Sequence, residues 1–394
     1  MAENGDSVTL TVHPAIAEIG KMAWNACASG LDNKNPETPS NPFISFEFLN
    51  AMEESECVGP RTGWHPAHLA LRDGGEIVAC CPAYVKSHSQ GEYVFDYGWA
   101  DAFERAGGRY YPKLQVSVPF TPATGPRLLV RSGQDERQAR ERLAEGLMAA
   151  CGQLDASSVH ATFLTPEDAA VFDARGYLHR EDIQYHWFND GFSAFDDFLD
   201  TLASRKRKAI RRERRQAAEN GITFRHLRGG EITEADWDAF FRFYMDTGSR
   251  KWGSPYLNRA FFSAMGRAMG ERVLLIMAMR DGAPVAGALN LIGGDALYGR
   301  YWGTLIDQPF LHFETCYYQA IDFAIAHGLS RVEAGAQGPH KIARGYRPVI
   351  THSAHWIRHQ GLRRAVADYL RSERPAVERE ADALAQHLPF RRGE

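Results

Sequence analysis

A strand–turn–strand unit occurs twice in this chain, and that duplication limits the fold more than any other feature. The first copy reads HLALRDGGEIVACCPAYV (68–85), followed by YVFDYGWA (93–100) and a helix-like stretch around Tyr110 and Tyr111. The second reads LLIMAMRDGAPVAGALNLI (274–292), followed by LYGRYWGT (297–304) and a helix carrying Tyr317 and Tyr318. Arg72-Asp73-Gly74 and Arg280-Asp281-Gly282 hold matching places, as do Tyr97/Trp99 and Tyr301/Trp302. A period near half the chain excludes a solenoid and points to a duplicated domain. Duplicated α/β units leave a cleft, and clefts are where ligands bind.

The spacing of apolar residues fills in the rest. It predicts helices over 15–27, around Phe43, Phe46 and Leu49, and over 134–154, with Pro166 opening another. Strands are predicted at 116–120, 127–130, 159–164 and 184–188. In the second half one long helix, 195–220, is stopped by Gly221 and followed by a strand at 222–227. Helices at 234–245, 258–269 and 313–327, strands at 331–334 and 351–357, and a helical tail over 362–387 interrupted at Pro375 complete the pattern. Strands alternating with helices and antiparallel hairpins give a mixed, layered α/β fold. The expected division is an N-terminal helix and loop (1–40), a first domain (41–190), a second (191–360) and a tail (361–394).

Bulk properties narrow the function classes. With 394 residues, 44% hydrophobic and 24% charged, the chain can bury a substantial core. A net charge of −4 removes any global drive toward nucleic acid or anionic membrane. The strongest apolar run, 273–279, is too short to span a bilayer. The opening MAENGDSVTL has no basic segment followed by an apolar one, so a cytoplasmic location is expected. The six cysteines show no CxxC spacing and read as reduced thiols.

Three segments can carry chemistry. SRKRKAIRRERRQ (204–216) holds eight Lys/Arg and one Glu. At helical spacing Arg207, Arg211 and Arg214 share a face, as do Lys208, Arg212 and Arg215. Cations this dense repel one another. Either the helix is a solvated basic face, or an anionic partner such as a diphosphate, coenzyme A or an RNA backbone relieves the repulsion. Arg207, Lys208 and Arg211 are the candidate phosphate contacts. The run lacks interleaved aromatics, which disfavours single-stranded RNA.

GAQGPHKIARGYRP (335–348) places glycines, one His and three basic residues in a loop after a strand. Backbone amides near Gly335, Gln337 and Gly338 can approach a ligand closely, and His340, Lys341 and Arg344 can meet its anionic groups. The loop matches neither GxxxxGK[ST] nor GxGxxG. In LHFETCYYQAIDFAIAHG (311–328), Glu314 reads either as a carboxylate favoured at a helix N-terminus or as a general base. Glu333 from the next strand is the second base candidate, and Cys316 reads as a small buried residue. Tyr301 and Trp302 are core aromatics or substrate contacts. No HxxxH or HExxH falls on a predicted helix and no Cys/His cluster has ligand spacing, so no metal site is expected. GxSxG is absent too.

The duplicated unit, SRKRKAIRRERRQAAENGI, HFETCYYQAIDFAIAHGL and GAQGPHKIARGYRP together make the chain resemble a bacterial group. These are the peptidoglycan biosynthesis/recognition proteins of the GNAT-like acyl-CoA N-acyltransferase superfamily, relatives of the Fem peptidoglycan-bridge aminoacyltransferases. The resemblance runs over about 41–357. It implies tandem GNAT-like domains with mixed central sheets, and transfer of an acyl or aminoacyl group to an amine. No tightly bound cofactor is implied. The coiled-coil arm of some Fem enzymes and a Q/RxxGxG/A segment are both missing, so acyl-CoA and aminoacyl-tRNA both stand as donor. The expected acceptor is a small-molecule or a lipid- or nucleotide-linked amine. The alternative is a catalytically silent GNAT-fold module that binds a nucleotide- or acyl-linked metabolite or a partner protein.

Overall fold

The computed structural model describes residues 8–29, 39–251, 255–335 and 338–391. The chain divides into two compact units, 1–182 with 351–378 and 183–350 with 379–394. Both repeated hairpins form. In the first unit His68–Asp73 and Glu76–Cys81 pair antiparallel, closing at Asp73 and Glu76. In the second, Val273–Arg280 and Ala283–Gly293 close at Arg280 and Ala283. The turn residues Gly74 and Gly75 have φ of 55° and 85°; Asp281 and Gly282 have 52° and 76°. Two successive positive φ values make the turn that matches strand twist, which is why Gly or Asp occupies each place.

In the first unit the hairpin lies between Thr9–His13 and Leu129–Val130. Pro82 has no N–H to offer a ladder, so the chain breaks there and resumes as Ala83–Lys86 beside Lys113–Val116. Lys113–Val116 runs parallel to Ser158–Leu164, which pairs with the 352–357 part of Arg347–Ile357. The helix Glu136–Gln153, capped by the Asp135 carboxylate on the Gln138 amide, buries Leu143, Leu147 and Cys151 against Leu69, Val116 and Val159.

In the second unit Thr223–Arg228, Val273–Arg280, Ala283–Gly293 and Ala296–Thr304 form an antiparallel run. Arg331–Glu333 then joins parallel to Ala296–Thr304 and antiparallel to His186–Phe188. The core beneath gathers Trp187, Phe198, Ile276, Tyr318, Ile321 and Val332.

Four expectations need correction. Residues 93–100, matched to 297–304, do not form the counterpart strand but lead into the helix Tyr97–Arg105, and Tyr110–Tyr111 lie outside any helix. Trp99, Ala100 and Phe103 recur at helical spacing and pack on Ile357, Leu362 and Val366, so the 3.6-residue period prevailed. The third strand of the first repeat is instead Lys113–Val116. The single helix over 195–220 is two, Phe195–Thr201 and Ser204–Ala217. Leu202 is extended between them and bridges Phe390, while the Ala203 amide donates to Pro389 O at 2.9 Å. Finally, Gln360–Ala385 runs through Pro375 unbroken; the proline is exposed, so solvent can satisfy the carbonyl it strands.

All six cysteines are free. Among the described residues no helix is long and apolar enough to cross a membrane.

Gly303 tests the packing of the second unit. A Cβ there would sit 2.1 Å from the carbonyl oxygen of Phe243, in the helix Glu234–Lys251. Gly303→Ala is expected to destabilise the protein by about 1–3 kcal/mol in urea denaturation. Gly152→Ala, at an exposed helical position with nothing within 4 Å, is expected to be neutral or stabilising. Equal effects of the two would refute this packing.

Candidate active site

The site forms where two parallel strands part. Ala296–Thr304 and Arg331–Glu333 share three rungs, ending at Tyr298 and Glu333. Beyond that point the first strand continues to Thr304, while the second turns away through Gly335 (φ 77°) and Gly338 (φ 123°). The 3-10 helix Pro339–Arg344 follows. Gly338 sits in backbone space that favours glycine, and a Cβ there would lie 2.5 Å from the His340 ring and displace it. Carboxyl ends of sheet strands are where α/β proteins take their ligands.

Two buried ionisable groups lie at this point of the chain. Lys341 is 2% exposed, and its Nζ donates to Ala334 O at 2.7 Å and Gly335 O at 2.9 Å. Those carbonyls belong to the two residues that follow Glu333. Burial pulls the Lys341 pKa down to about 7. Glu333 is 5% exposed; its Oε1 accepts from Arg331 Nε at 3.0 Å, and its Oε2 has no hydrogen-bond partner among the described residues. That oxygen stands 3.7 Å from His186 Nε2. Burial lowers the His186 pKa and keeps its imidazole neutral. An unpaired carboxylate oxygen in the interior is costly and calls for a functional explanation.

An aromatic cluster gathers around His340, the residue before Lys341. The Trp302 and His312 rings are 5.0 Å apart, and His340 lies 6.1 Å from His312 and 5.5 Å from Phe313. His340 is exposed, and its Nε2 meets the Tyr317 hydroxyl at 2.9 Å. Burial raises the Tyr317 pKa, so the phenol stays protonated. Arg344 lies 3.4 Å over the Phe313 ring and bonds His340 O at 2.8 Å and Glu213 at 2.9 Å. Tyr301 packs edge-on against Tyr244, with Arg300 over its ring. Gln337 lies outside the described residues.

Glu314 is otherwise engaged. It is 3% exposed and begins a single π-turn, Glu314–Tyr318. Arg214 grips it through Nε (3.1 and 3.2 Å) and Nη2 (2.9 Å), and Gln319 adds a bond of 2.7 Å. Arg214 also reaches Asp322 at 2.5 Å and lies 4.3 Å over the Phe195 ring. With both carboxylate oxygens occupied, Glu314 is suited to anchoring, and Glu333 is the freer base. Arg207 pairs with Asp200 and Arg211 with Asp196, both on the preceding short helix. The exposed cations Arg205, Lys206, Lys208, Arg212 and Arg215 have no ion-pair partner among the described residues.

Sequence reasoning missed a second polar centre, in the first unit. Lys113 is fully buried and donates at 2.7 Å to both Ser89 Oγ and Glu92 Oε2; it also pairs with Asp96. Lys86, also fully buried, lies 3.6 Å over the Trp64 ring and 3.8 Å from Glu92 Oε1. Burial pulls Lys86 down and Glu92 up, each to about 7. No motif marks these residues. The one available signal was the presence of lysines at the ends of two short buried strands, at 86 and 113.

The architecture is shared with known proteins. A crystal structure of FemX is similar over 91% of this chain and 100% of that one, at 13% identity and a TM-score of 0.53. A C-terminal domain assigned to a lysylphosphatidylglycerol synthetase of Agrobacterium fabrum is similar over 89% and 96%, at 9% identity and 0.54. A tandem GNAT protein from the clavulanic acid biosynthesis pathway is also similar, at 12% identity over 89% and 98%, with a TM-score of 0.45. The likeness to FemX and to the synthetase domain shows a shared mixed α/β fold. A family model described as FemAB-like, peptidoglycan biosynthesis/recognition, matches residues 15–392, and the chain belongs to that family. No curated protein matches the sequence.

The anchoring of Glu314 has a stability consequence. Arg214→Ala leaves a buried carboxylate uncompensated and is expected to cost about 3–5 kcal/mol in urea denaturation. A loss below about 1 kcal/mol would show the pair to be solvated.

Lys341 gives a pH signature. Its folded pKa lies below the ordinary lysine value, so between about pH 7 and 10 the unfolded chain binds the extra proton and stability rises with pH. Relative to Lys341→Met, the wild type is expected to gain about 1.4 kcal/mol per pH unit between pH 7.5 and 9. Parallel pH profiles of the two proteins would place the amine in solvent.

Proposed function

We propose that this protein transfers an activated acyl or aminoacyl group to an amine, with the chemistry at the parting strands of the second unit. The observation that carries this reading is the unpartnered Oε2 of buried Glu333, one residue from the carbonyls that hold Lys341. An attacking amine arrives protonated and must lose a proton before it can act as a nucleophile. Glu333 Oε2 takes that proton. The amine nitrogen then bonds to the donor carbonyl carbon, and negative charge builds on the carbonyl oxygen. In its protonated form Lys341 has three N–H donors and spends two on Ala334 and Gly335, so the third can serve that oxyanion. Collapse of the tetrahedral intermediate breaks the bond to the thiolate of coenzyme A or the ribose oxygen of a tRNA. Exposed Lys208 and Arg212 on the basic helix suit the phosphates that either donor carries.

Membership of a peptidoglycan biosynthesis/recognition family supports an amine on a cell-wall precursor as acceptor. FemX and the lysylphosphatidylglycerol synthetase domain share the architecture, which makes aminoacyl-tRNA the first donor to try.

The test incubates the protein with a UDP-linked muropeptide and, in turn, acetyl-CoA, a longer acyl-CoA and aminoacyl-tRNA. Mass spectrometry of the acceptor reads the product. One donor class is expected to give an amide, and Glu333→Gln is expected to lower kcat about 100-fold or more while leaving the melting temperature near wild type. No product from any donor would favour the silent binding module. Full activity in Glu333→Gln would remove the assigned base.

A further inference from the structure

In the first unit, three side chains that are distant in sequence converge on one point. His179 and Glu181 lie two residues apart in the strand Leu178–Phe188, so they share a face. His352 lies in the neighbouring strand Arg347–Ile357. Side-chain bonds from Thr351 to Asp182 O and from Ser353 to Arg180 O flank it and put it across from Glu181. His179 Nε2 and His352 Nδ1 are 3.0 Å apart, and Glu181 Oε1 lies 3.8 Å from the first and 3.9 Å from the second. The other nitrogen of His179, Nδ1, is 3.0 Å from Asp173 Oδ2.

We propose that His179 Nε2, His352 Nδ1 and Glu181 Oε1 bind a divalent transition-metal ion of the zinc class. In a tetrahedral zinc site with bonds near 2.0–2.2 Å, the ligand atoms stand about 3.4 Å apart. The triangle here brackets that value. The donor set, two imidazoles and one carboxylate, suits zinc or cobalt and is poor for magnesium or calcium, which want more oxygens. Asp173 completes the argument. A carboxylate on Nδ1 fixes the proton there and turns the Nε2 lone pair toward the ion, the arrangement that orients metal-bound histidines. Glu181 and Asp173 together balance the charge of a dication. All three ligands are partly exposed, at 19%, 15% and 23% of their side chains, so an ion and a completing water can enter from solvent. The site would tie together two strands whose ligands lie more than 170 residues apart, and no linear spacing rule could have found it.

A hydrogen bond between two neutral histidines is the competing account of the 3.0 Å contact, and metal titration separates the two. Tag-free, chelator-stripped full-length protein is titrated with Zn2+ alone by calorimetry, and with Co2+ alone by visible absorption. The expected result is one ion per chain, intense tetrahedral Co2+ bands, and a melting temperature raised by Zn2+. His352→Gln is expected to weaken Zn2+ binding at least 100-fold. Asp173→Asn should weaken it about 10- to 100-fold with unchanged stoichiometry, as loss of an orienting partner does. Glu181→Gln serves as the second ligand variant should His352→Gln fail to fold, judged by melting in EDTA. No saturable binding by wild type, or equal binding by wild type and the folded ligand variant, would overturn the site. Neither result bears on the transferase reading, which rests on the second unit.

Discussion

The guanidinium of Arg214 holds the second unit in the form that matters for its site. It is enclosed by Glu314, Asp322 and the Phe195 ring, so one cation joins the basic helix, the helix before it and the π-turn of the site helix. The residue beside it, Glu213, extends the same junction to Tyr318 and Arg344. Arg344 in turn lies over Phe313 and bonds the backbone of His340. Without that junction the loop that carries His340 and Lys341 would lose its support. A buried ion pair of this kind is weak evidence for net stability, because desolvation offsets much of its attraction. Its value lies in position: one guanidinium ties three segments of the unit together.

Each unit also keeps an amine in its interior near neutrality, Lys86 in the first and Lys341 in the second. The physical cause is the same, desolvation of an ammonium, but the surroundings differ. Lys86 has carboxylates nearby and a second lysine, Lys113, that competes for them. Lys341 is held by two backbone carbonyls beside the Tyr185 ring, with Glu333 on the preceding strand. Both amines therefore titrate near neutrality, but the Glu92 carboxylate near Lys86 is shared with Lys113. The unpaired Oε2 of Glu333 favours the second unit for chemistry, while the first holds a polar core gathered around Lys113.

The duplication was legible because turn chemistry is local. Asp-Gly and Gly-Gly pairs between apolar runs demand positive φ, and both hairpins formed as read. The reading failed where a local pattern had two solutions. YVFDYGWA carries aromatics that suit a strand, yet Trp99, Ala100 and Phe103 sit at helical spacing over Ile357 and Leu362. The partner surface is more than 250 residues away in the chain, as those numbers show, and it decided the outcome. Likewise nothing near Leu202 foretold a helix break, because its cause is Phe390.

By itself the sequence determined the class of fold, the two hairpins, the glycine-rich loop and the candidate set around it, since propensity, turn geometry and charge density act over a few residues. Tertiary structure alone decided which candidates are free to act. Glu314 and Glu333 look alike in the sequence, but Arg214 from another helix occupies one and leaves an oxygen of the other unpaired. The same holds for the histidines. His179 and His352 become neighbours only because two strands pair, and the pairing of distant strands is set by the global packing of the chain rather than by any short pattern within it.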